Sequence, residues 1–587
     1  MNFLRNLLAS FLALVIFSVL AFFLFFGIVA AFVGSFSKKD VVEVADKSVL
    51  HLKLDKPISE VEFENPLEVL PIFSGAPATI GLVQIKEAIR KAKDDDKIKG
   101  IYLEAPFVMA GMAVVEEVRD ALEDFRSSGK FVVSYAEFYS EGGYYLASVA
   151  DHVYMHPEGF LEFNGLNTNV TFFKGLFDKL EIEPQIFRVG DFKSAVEPFM
   201  RKDMSEENRL QLSSLINAAY KNVIDNIAES RNVASARLME ISNNMLARKP
   251  QQGVEFKLLD SLVYMDQVLA VMKEKAGTSQ DEELELIKYE KYKKTVSKYN
   301  KSKNEIAVIV ASGEIVPDKG DINTIGSTKF SEEIRKARED DNIKAIVIRI
   351  NSPGGSFVAS DVMWREIKLA GESKPVIASM SDVAASGGYY MAMACDTIVA
   401  QPNTITGSIG IFGIIFNLQG FLNHKLGITH DEVQTGKYSG LYTMVRPLTE
   451  QEKQIIQDDV EDGYETFITK AAEGRDMTVD EIKKIASGRV WTGDQAKNNG
   501  LVDILGDLDD AIKIAAGKAN LGDDYKVKYY PKQRTIFEEI LRDLEGDTQA
   551  KAIKKELGEF YPYLEAIKNV QKQEGIQTKM LYEFNLD

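Results

Sequence analysis

An α/β fold, laid down twice in tandem behind one membrane-spanning helix, is what the 587-residue sequence predicts. Three observations predict it. The first is an internal repeat. Ile89-Arg90-Lys91-Ala92-Lys93 through Ile98-Lys99-Gly100-Ile101 reappears as Ile334-Arg335-Lys336-Ala337-Arg338 through Ile343-Lys344-Ala345-Ile346, at an offset of 245 (334 − 89, and again 343 − 98). A period this long denotes a duplicated domain rather than a solenoid. The second is that short β-branched runs alternate with helical stretches within a copy, the pattern of layered α/β architecture. The third is an N-terminal stretch, Asn6 to Ser37, with no charged residue.

That stretch is the first element. Leu7 to Val33 is mostly Leu, Phe, Val, Ile and Ala, longer than the roughly 20 apolar residues that a bilayer core requires. A cleaved signal peptide has an apolar region of about 7–15 residues, and Ala30-Ala31-Phe32 is a poor cleavage site, so the run reads as a retained anchor. Arg5 and the amino terminus compete with Lys38 and Lys39, so the flanking charges leave the orientation open.

Residues 1–47 are accordingly the anchor and its flank, 48–277 the first copy, 278–302 a Lys-, Glu- and Tyr-rich linker, 303–532 the second copy and 533–587 a tail. In the second copy Ala345–Ile350 suits a buried parallel strand. It ends in the turn cluster Asn351-Ser352-Pro353-Gly354-Gly355. A helix near Val358–Leu369, a strand over Pro375–Met380, a helix opening at Ser386 and a strand at Thr397–Ala400 follow. In the tail, Ile536-Phe537-Glu538-Glu539-Ile540-Leu541 is amphipathic and predicts a helix.

Composition narrows the function. Charged residues at 27% describe an ordered globular chain. A net charge of −18 argues against nucleic acid, whose phosphates need clustered Lys and Arg. The single cysteine, Cys395, excludes an internal disulfide framework and any multi-cysteine metal site, and its apolar surroundings suit a core residue.

The copies differ where chemistry could sit. Glu141-Gly142-Gly143-Tyr144-Tyr145 aligns with Ser386-Gly387-Gly388-Tyr389-Tyr390, so a hydroxyl in one copy replaces a carboxylate in the other. A serine followed by two glycines at a helix start suits acyl transfer, because glycines admit a substrate backbone and the first helical amides favour a developing anion. The same spacing also fits an ordinary serine cap. Pro353-Gly354-Gly355 suits an oxyanion hole; the first copy has Glu104-Ala105-Pro106-Phe107-Val108 there, without the glycine pair. Two features useful for acyl chemistry are thus lost together, which argues that they belong to one site.

A serine needs a base. None of His51, His152, His156, His424 and His430 sits in a repeated motif or beside a glycine turn, and His152 with His156 lacks the intervening glutamate of a helical zinc motif. Lysine remains. Lys193, in Asp191-Phe192-Lys193-Ser194-Ala195-Val196-Glu197-Pro198-Phe199, and Lys437, in Thr435-Gly436-Lys437-Tyr438-Ser439-Gly440, are both eligible. A lysine base must be neutral near pH 7, about 3 units below its ordinary pKa, which requires an apolar, packed setting. Both candidates have apolar neighbours, so composition does not choose.

These residues resemble the membrane-bound signal peptide peptidases of the SppA family, in their long, duplicated form. The likeness covers residues 1 to about 530. Asp191–Phe199 is similar to the family's lysine motif and Ala384-Ala385-Ser386-Gly387-Gly388-Tyr389-Tyr390 to its nucleophile motif. Thr406-Gly407-Ser408-Ile409-Gly410-Ile411-Phe412-Gly413 and Trp491-Thr492-Gly493 through Gly500-Leu501-Val502-Asp503 are similar to two further signatures. The resemblance implies a Clp-protease/crotonase-like fold in each copy and a serine endopeptidase with no metal or cofactor. It implies Lys193 as the base for Ser386, Ser408 orienting the lysine, and Gly354, Gly355 and Gly387 around the oxyanion. It further implies apolar peptides such as signal peptides as substrates, a homotetramer, and a body on the periplasmic side of the bacterial inner membrane. Two other readings fit the residues: a crotonase-type enzyme acting on a thioester, and a catalytically silent membrane scaffold.

Overall fold

The computed structural model describes residues 5–6, 11–14, 16–20, 23–24, 27, 42–62, 79–296, 302–320, 324–531 and 575–580. Among these no helix is long and apolar enough to cross a membrane. The membrane helix expected over Leu7–Val33 lies mostly outside the described residues; those described within it, such as Phe11, Phe17 and Leu24, are helical with exposed side chains.

Two parallel sheets carry the duplication. In the first, the order is Ser261–Leu262, His152–Leu161, Phe131–Tyr139, Ile98–Glu104, Ser48–Lys53, Leu286–Lys288, every neighbouring pair parallel. In the second it is Val490–Thr492, Ile405–Gly407, Val376–Ala385, Ile343–Ser352, Glu305–Ser312, Lys526–Tyr530, with Thr397–Ala400 also paired to Val376–Ala385. Among the described strands of that sheet only Val490–Thr492 is antiparallel to its neighbour. Leu286–Lys288, inside the stretch that composition marks as a linker, closes the edge of the first sheet.

Burial explains the pattern of each element. Ile343–Ser352 is buried along nearly its whole length, so it needs no polar alternation. Helices Leu82–Asp94 and Ser327–Glu339 are one element used twice. The first buries Ile85, Ile89 and Ala92, the second Phe330, Ile334 and Ala337, each pair 245 apart (330 − 85). Their i, i+4, i+7 spacing sets them on one face against the sheet.

A third sheet joins the copies. Its order is Thr324–Gly326, Glu314–Val316, Gly354–Ser356, Gly575–Lys579, Phe412–Asn417, Glu183–Arg188. Four strands come from the second copy, Glu183–Arg188 comes from the first, and Gly575–Lys579 comes from the tail. Two expectations change here. The Pro353-Gly354-Gly355 stretch is not only a turn, since Gly354–Ser356 pairs as a short strand. The tail residues 575–579 are extended rather than helical, because unpaired strand edges on both sides offer them backbone partners. The predicted helix around Ile536–Leu541 lies outside the described residues.

Buried charge also ties the copies together. Arg349, 1% exposed, reaches from its strand to Glu60 (Nε to Oε2, 2.7 Å) and to Glu117 (Nη2 to Oε1, 2.6 Å), both buried in the first copy. It also donates to Ser379, Ser381 and the carbonyl of Met380. Lys86 meets the far side of Glu117 at 2.8 Å.

Candidate active site

Ser386 sits at the hinge between strand Val376–Ala385 and helix Gly387–Ala392. Its backbone is at φ 55°, ψ −112°, outside the regions that a non-glycine residue favours. Such a conformation costs roughly 1–3 kcal/mol and persists only where surrounding structure holds it. The serine stands at the N-cap position, but its side chain does not cap the helix. Its hydroxyl makes no cap hydrogen bond, whereas Ser140 of the first copy caps the equivalent helix by accepting from Gly143 N. Ser386 Oγ instead lies 3.0 Å from Lys193 Nζ.

The third sheet delivers that lysine. Glu183–Arg188 pairs antiparallel with Phe412–Asn417, Arg188 opposite Phe412, and so carries the next few residues into the second copy. Phe192 N then donates to Ser487 O at 3.1 Å, and Gln211 Nε2 donates to Phe192 O at 3.1 Å, fixing the loop on either side. Lys193 Nζ reaches Ser408 Oγ at 3.0 Å and donates to Ser408 O at 3.2 Å. Ser408 is held by its own amide, which donates to Arg489 O at 2.7 Å.

The surroundings are apolar. Ala195, Val196, Phe199, Phe412, Ile414 and Phe416 form one buried cluster, and Lys193 Nζ lies 5.9 Å from the Phe412 ring centroid. Lys193 is 1% exposed and Ser386 fully buried. Among the described residues no carboxylate hydrogen-bonds the amine. Burial alone therefore lowers its pKa from 10.5 to about 7. The change corresponds to roughly 5 kcal/mol of selective destabilisation of the ammonium form. An amine that is about half neutral at pH 7 and in contact with a serine hydroxyl has the properties of a general base.

Lys437 is elsewhere. It is exposed and lies over the Tyr438 ring. The structure thus brings together Lys193, Ser386 and Ser408, which the sequence could not pair unaided, and leaves the rival lysine outside.

The glycines fall into two classes. Gly354, at φ 98°, is a position for which only glycine is suited: a Cβ there would lie 2.6 Å from Gly387 N and 2.0 Å from Thr578 O. Gly354 N donates to Ser352 Oγ at 3.2 Å, and Gly355 pairs with Ile315 and Thr578. Gly387 opens its helix, where amides lack an intrahelical partner, and it faces Gly354. Gly388 does something different. A Cβ there would meet Ser352 O at 2.7 Å, as one at Gly143 would meet Pro106 O at 2.5 Å. The second glycine of the pair is kept in both copies by helix–strand packing, not by chemistry.

In the first copy Glu141 occupies the serine's place. It is buried, its pKa pushed up to about 7 by burial. Its carboxylate accepts from the amides of Asn164 (2.8 Å) and Gly165 (3.2 Å) and from Tyr220 OH (3.1 Å). That carboxylate braces a loop.

The residues that sequence reasoning missed are in the tail. Thr578 is fully buried; its Oγ1 donates to Gly355 O at 3.0 Å and lies 3.5 Å from Ser360 Oγ. Met580 packs with Ala385, the residue before Ser386. One signal was available: Ile576, Thr578 and Met580 alternate with Gln577 and Lys579 at the period of a strand.

Comparison with known proteins gives the family. The model of Peptidase family S49 matches twice, over residues 124–279 and 368–522. The chain is 40% identical over 463 residues to the chloroplastic serine protease SPPA of Arabidopsis thaliana, spanning 76% of this chain and 67% of that protein. It is 37% identical over 479 residues to Protease 4 of Salmonella typhi (80% and 77% of the two chains). To Protease 4 of Haemophilus influenzae it is 33% identical over 522 residues (86% and 84%). With the family matched in each copy and relatives aligned over most of its length, the chain belongs to peptidase family S49 and is a serine protease.

Proposed function

We propose that this serine protease works through a Ser386–Lys193 dyad and degrades apolar peptides, such as signal peptides already released into a membrane. One observation carries the reading: a buried, uncompensated lysine amine, its pKa lowered to about 7, lies 3.0 Å from the hydroxyl of a serine held in a strained hinge. Neutral Lys193 takes the Ser386 proton as Oγ attacks the peptide carbonyl carbon. The amides of Gly355 and Gly387 stabilise the oxyanion, and Gly354, with no side chain, leaves the space beside them open. The Lys193 ammonium then protonates the departing amine as the C–N bond breaks. A water molecule, deprotonated by Lys193, releases the acyl group and restores Ser386. Ser408 Oγ and its carbonyl orient the amine throughout.

The wider setting is part of the same proposal. The uncharged run Leu7–Val33 anchors the chain in the bacterial inner membrane, with the body on the periplasmic side and four copies in an assembly. An anchor next to the site raises the local concentration of membrane-borne peptides.

The test is labelling of Ser386 by a small serine-directed phosphonate. Wild type and Lys437→Ala are expected to label alike, and Lys193→Ala to lose labelling by at least about a hundredfold, the scale of a missing general base. Undiminished labelling of Lys193→Ala contradicts the proposal.

A further inference from the structure

Strand Val376–Ala385 loses its ladder just before the nucleophile. It runs in register with Ile343–Ser352 as far as Met380, opposite Ile350, and the pairing resumes at Ala384, opposite Ser352. Four steps on one strand (384 − 380) thus face two on the other (352 − 350), so Ser381, Asp382 and Val383 stand in a bulge. A bulge bends its strand and re-aims the side chains that follow it, and Ser386 follows closely. Two of the three bulged residues find partners in the first copy. Ser381 Oγ donates to Glu60, and Asp382 Oδ1 accepts from Val114 N at 2.9 Å.

Val114 N is the third amide of helix Met112–Arg126, among those at a helix start that lack an intrahelical acceptor. The repeat shows what Asp382 does there. In the second copy the equivalent helix, Phe357–Gly371, is capped from within, Ser356 Oγ accepting from Ala359 N at 3.4 Å. Both positions recur in the first copy at the offset of 245, Ala359 as Val114 (359 − 114) and Ser356 as Gly111 (356 − 111). Gly111 has no side chain to offer, and its backbone, at φ −73°, ψ 168°, is one that any residue adopts. Space, not conformation, makes it glycine. A Cβ there would lie 2.3 Å from Asp382 Cγ and 2.4 Å from its Oδ1. The first copy has given up its own cap, and a carboxylate of the second copy stands in its place. The exchange is one-way, since the first copy has Glu137 where the second has Asp382 (382 − 137 = 245), and Glu137 is exposed.

We infer that Asp382 is a positioning residue for the protease: by capping a helix of the first copy it pins the bulge that aims Ser386 at Lys193. The copy that supplies the base then also sets the aim of the nucleophile. Beyond the bulge the aim passes through backbone. Val383, Ala384 and Ala385 pair with Ile405, Thr406 and Gly407, and Ser386 N donates to Gly407 O at 2.8 Å, beside Ser408. A displacement of about 1 Å at the reacting atom costs on the order of a hundredfold in rate. The inference rests on the reading of Ser386 as the nucleophile and Lys193 as its base.

The test separates the cap from the aim, in the intact chain with a fluorogenic apolar peptide as substrate. Asp382→Ala is expected to lower kcat at least about tenfold with KM within about twofold, and to lower the urea midpoint as the loss of a cap does. Asp382→Asn keeps an acceptor oxygen at the same reach. Because burial pushes the Asp382 carboxyl up to about 7, it also resembles the neutral form, and it is expected to hold kcat within about threefold of wild type. The deciding variant, Asp382→Ala with Gly111→Ser, rebuilds the self-capped helix of the second copy. Its urea midpoint is expected to return to that of wild type while kcat stays at least about tenfold down. It carries the test even where Asp382→Ala alone does not fold. If kcat returns with the midpoint, or if Asp382→Ala leaves kcat unchanged, Asp382 is a cap and nothing more. With Ser386 still labelled by the phosphonate, either result overturns the inference and leaves the dyad reading standing. If the phosphonate labels Ser386 in no form, wild type included, the dyad reading fails and the inference with it.

Discussion

Lys193 shows what a side chain in the wrong solvent costs. Its folded pKa, about 7, lies below the ordinary 10.5 of an unfolded chain. Between those values the unfolded state carries a proton that the folded state lacks, so the group's contribution to stability rises with pH across this window. The penalty is complete below about pH 7 and gone above about pH 10.5. Lys193→Met, which keeps the apolar stem and removes the amine, is expected to stabilise the fold by about 4 kcal/mol near neutral pH. That gain should shrink toward zero by pH 10.5, in denaturation of variant and wild type at matched pH. A pH-independent gain would mean that the lysine is not buried against its charge. At this scale the sequence was partly legible. Ser386 stood out because Glu141 replaces it in the first copy. The choice between Lys193 and Lys437 did not, because both have apolar neighbours in sequence and only the long-range pairing of Glu183–Arg188 with Phe412–Asn417 buries one of them.

Elements read best where packing repeats a local pattern. The helices Leu82–Asp94 and Ser327–Glu339 and the buried strand Ile343–Ser352 follow from periodicity, since each meets its own copy's sheet. The tail strand does not follow, because its partners lie more than 150 residues away and its neighbours in sequence are charged and amphipathic. Arg349 belongs to the same class: nothing local announces that Glu60 and Glu117 await it. Arg349→Met leaves buried Glu60 without its cation and Glu117 with Lys86 alone, and is expected to cost roughly 3–5 kcal/mol. Adding Glu60→Gln and Glu117→Gln should recover part of that loss, read as the shift in urea midpoint. A shift within experimental error for Arg349→Met would show that the copies do not depend on this contact.

Across the whole molecule the proposed dyad makes the duplication a division of labour. The first copy supplies Lys193; the second supplies Ser386, Ser408 and the glycine turn; the tail supplies the strand between them. Lys193 and Ser386, the proposed dyad, lie on one chain in this arrangement. Chains carrying Ser386→Ala mixed with chains carrying Lys193→Ala are therefore expected to show no peptidase activity above that of either alone. Recovered activity would place the dyad between chains. The repeat at offset 245 announced the duplication, but not that the proposed site is divided between the halves. The most direct check on that claim is the pH dependence of the rate at which a small phosphonate labels Ser386 in the intact protein. If Lys193, buried in the seam between the copies, is the base, the rate rises through a single midpoint near pH 7 and then stays level. A midpoint near 10.5, or a rate indifferent to pH between 5 and 9, would contradict the account.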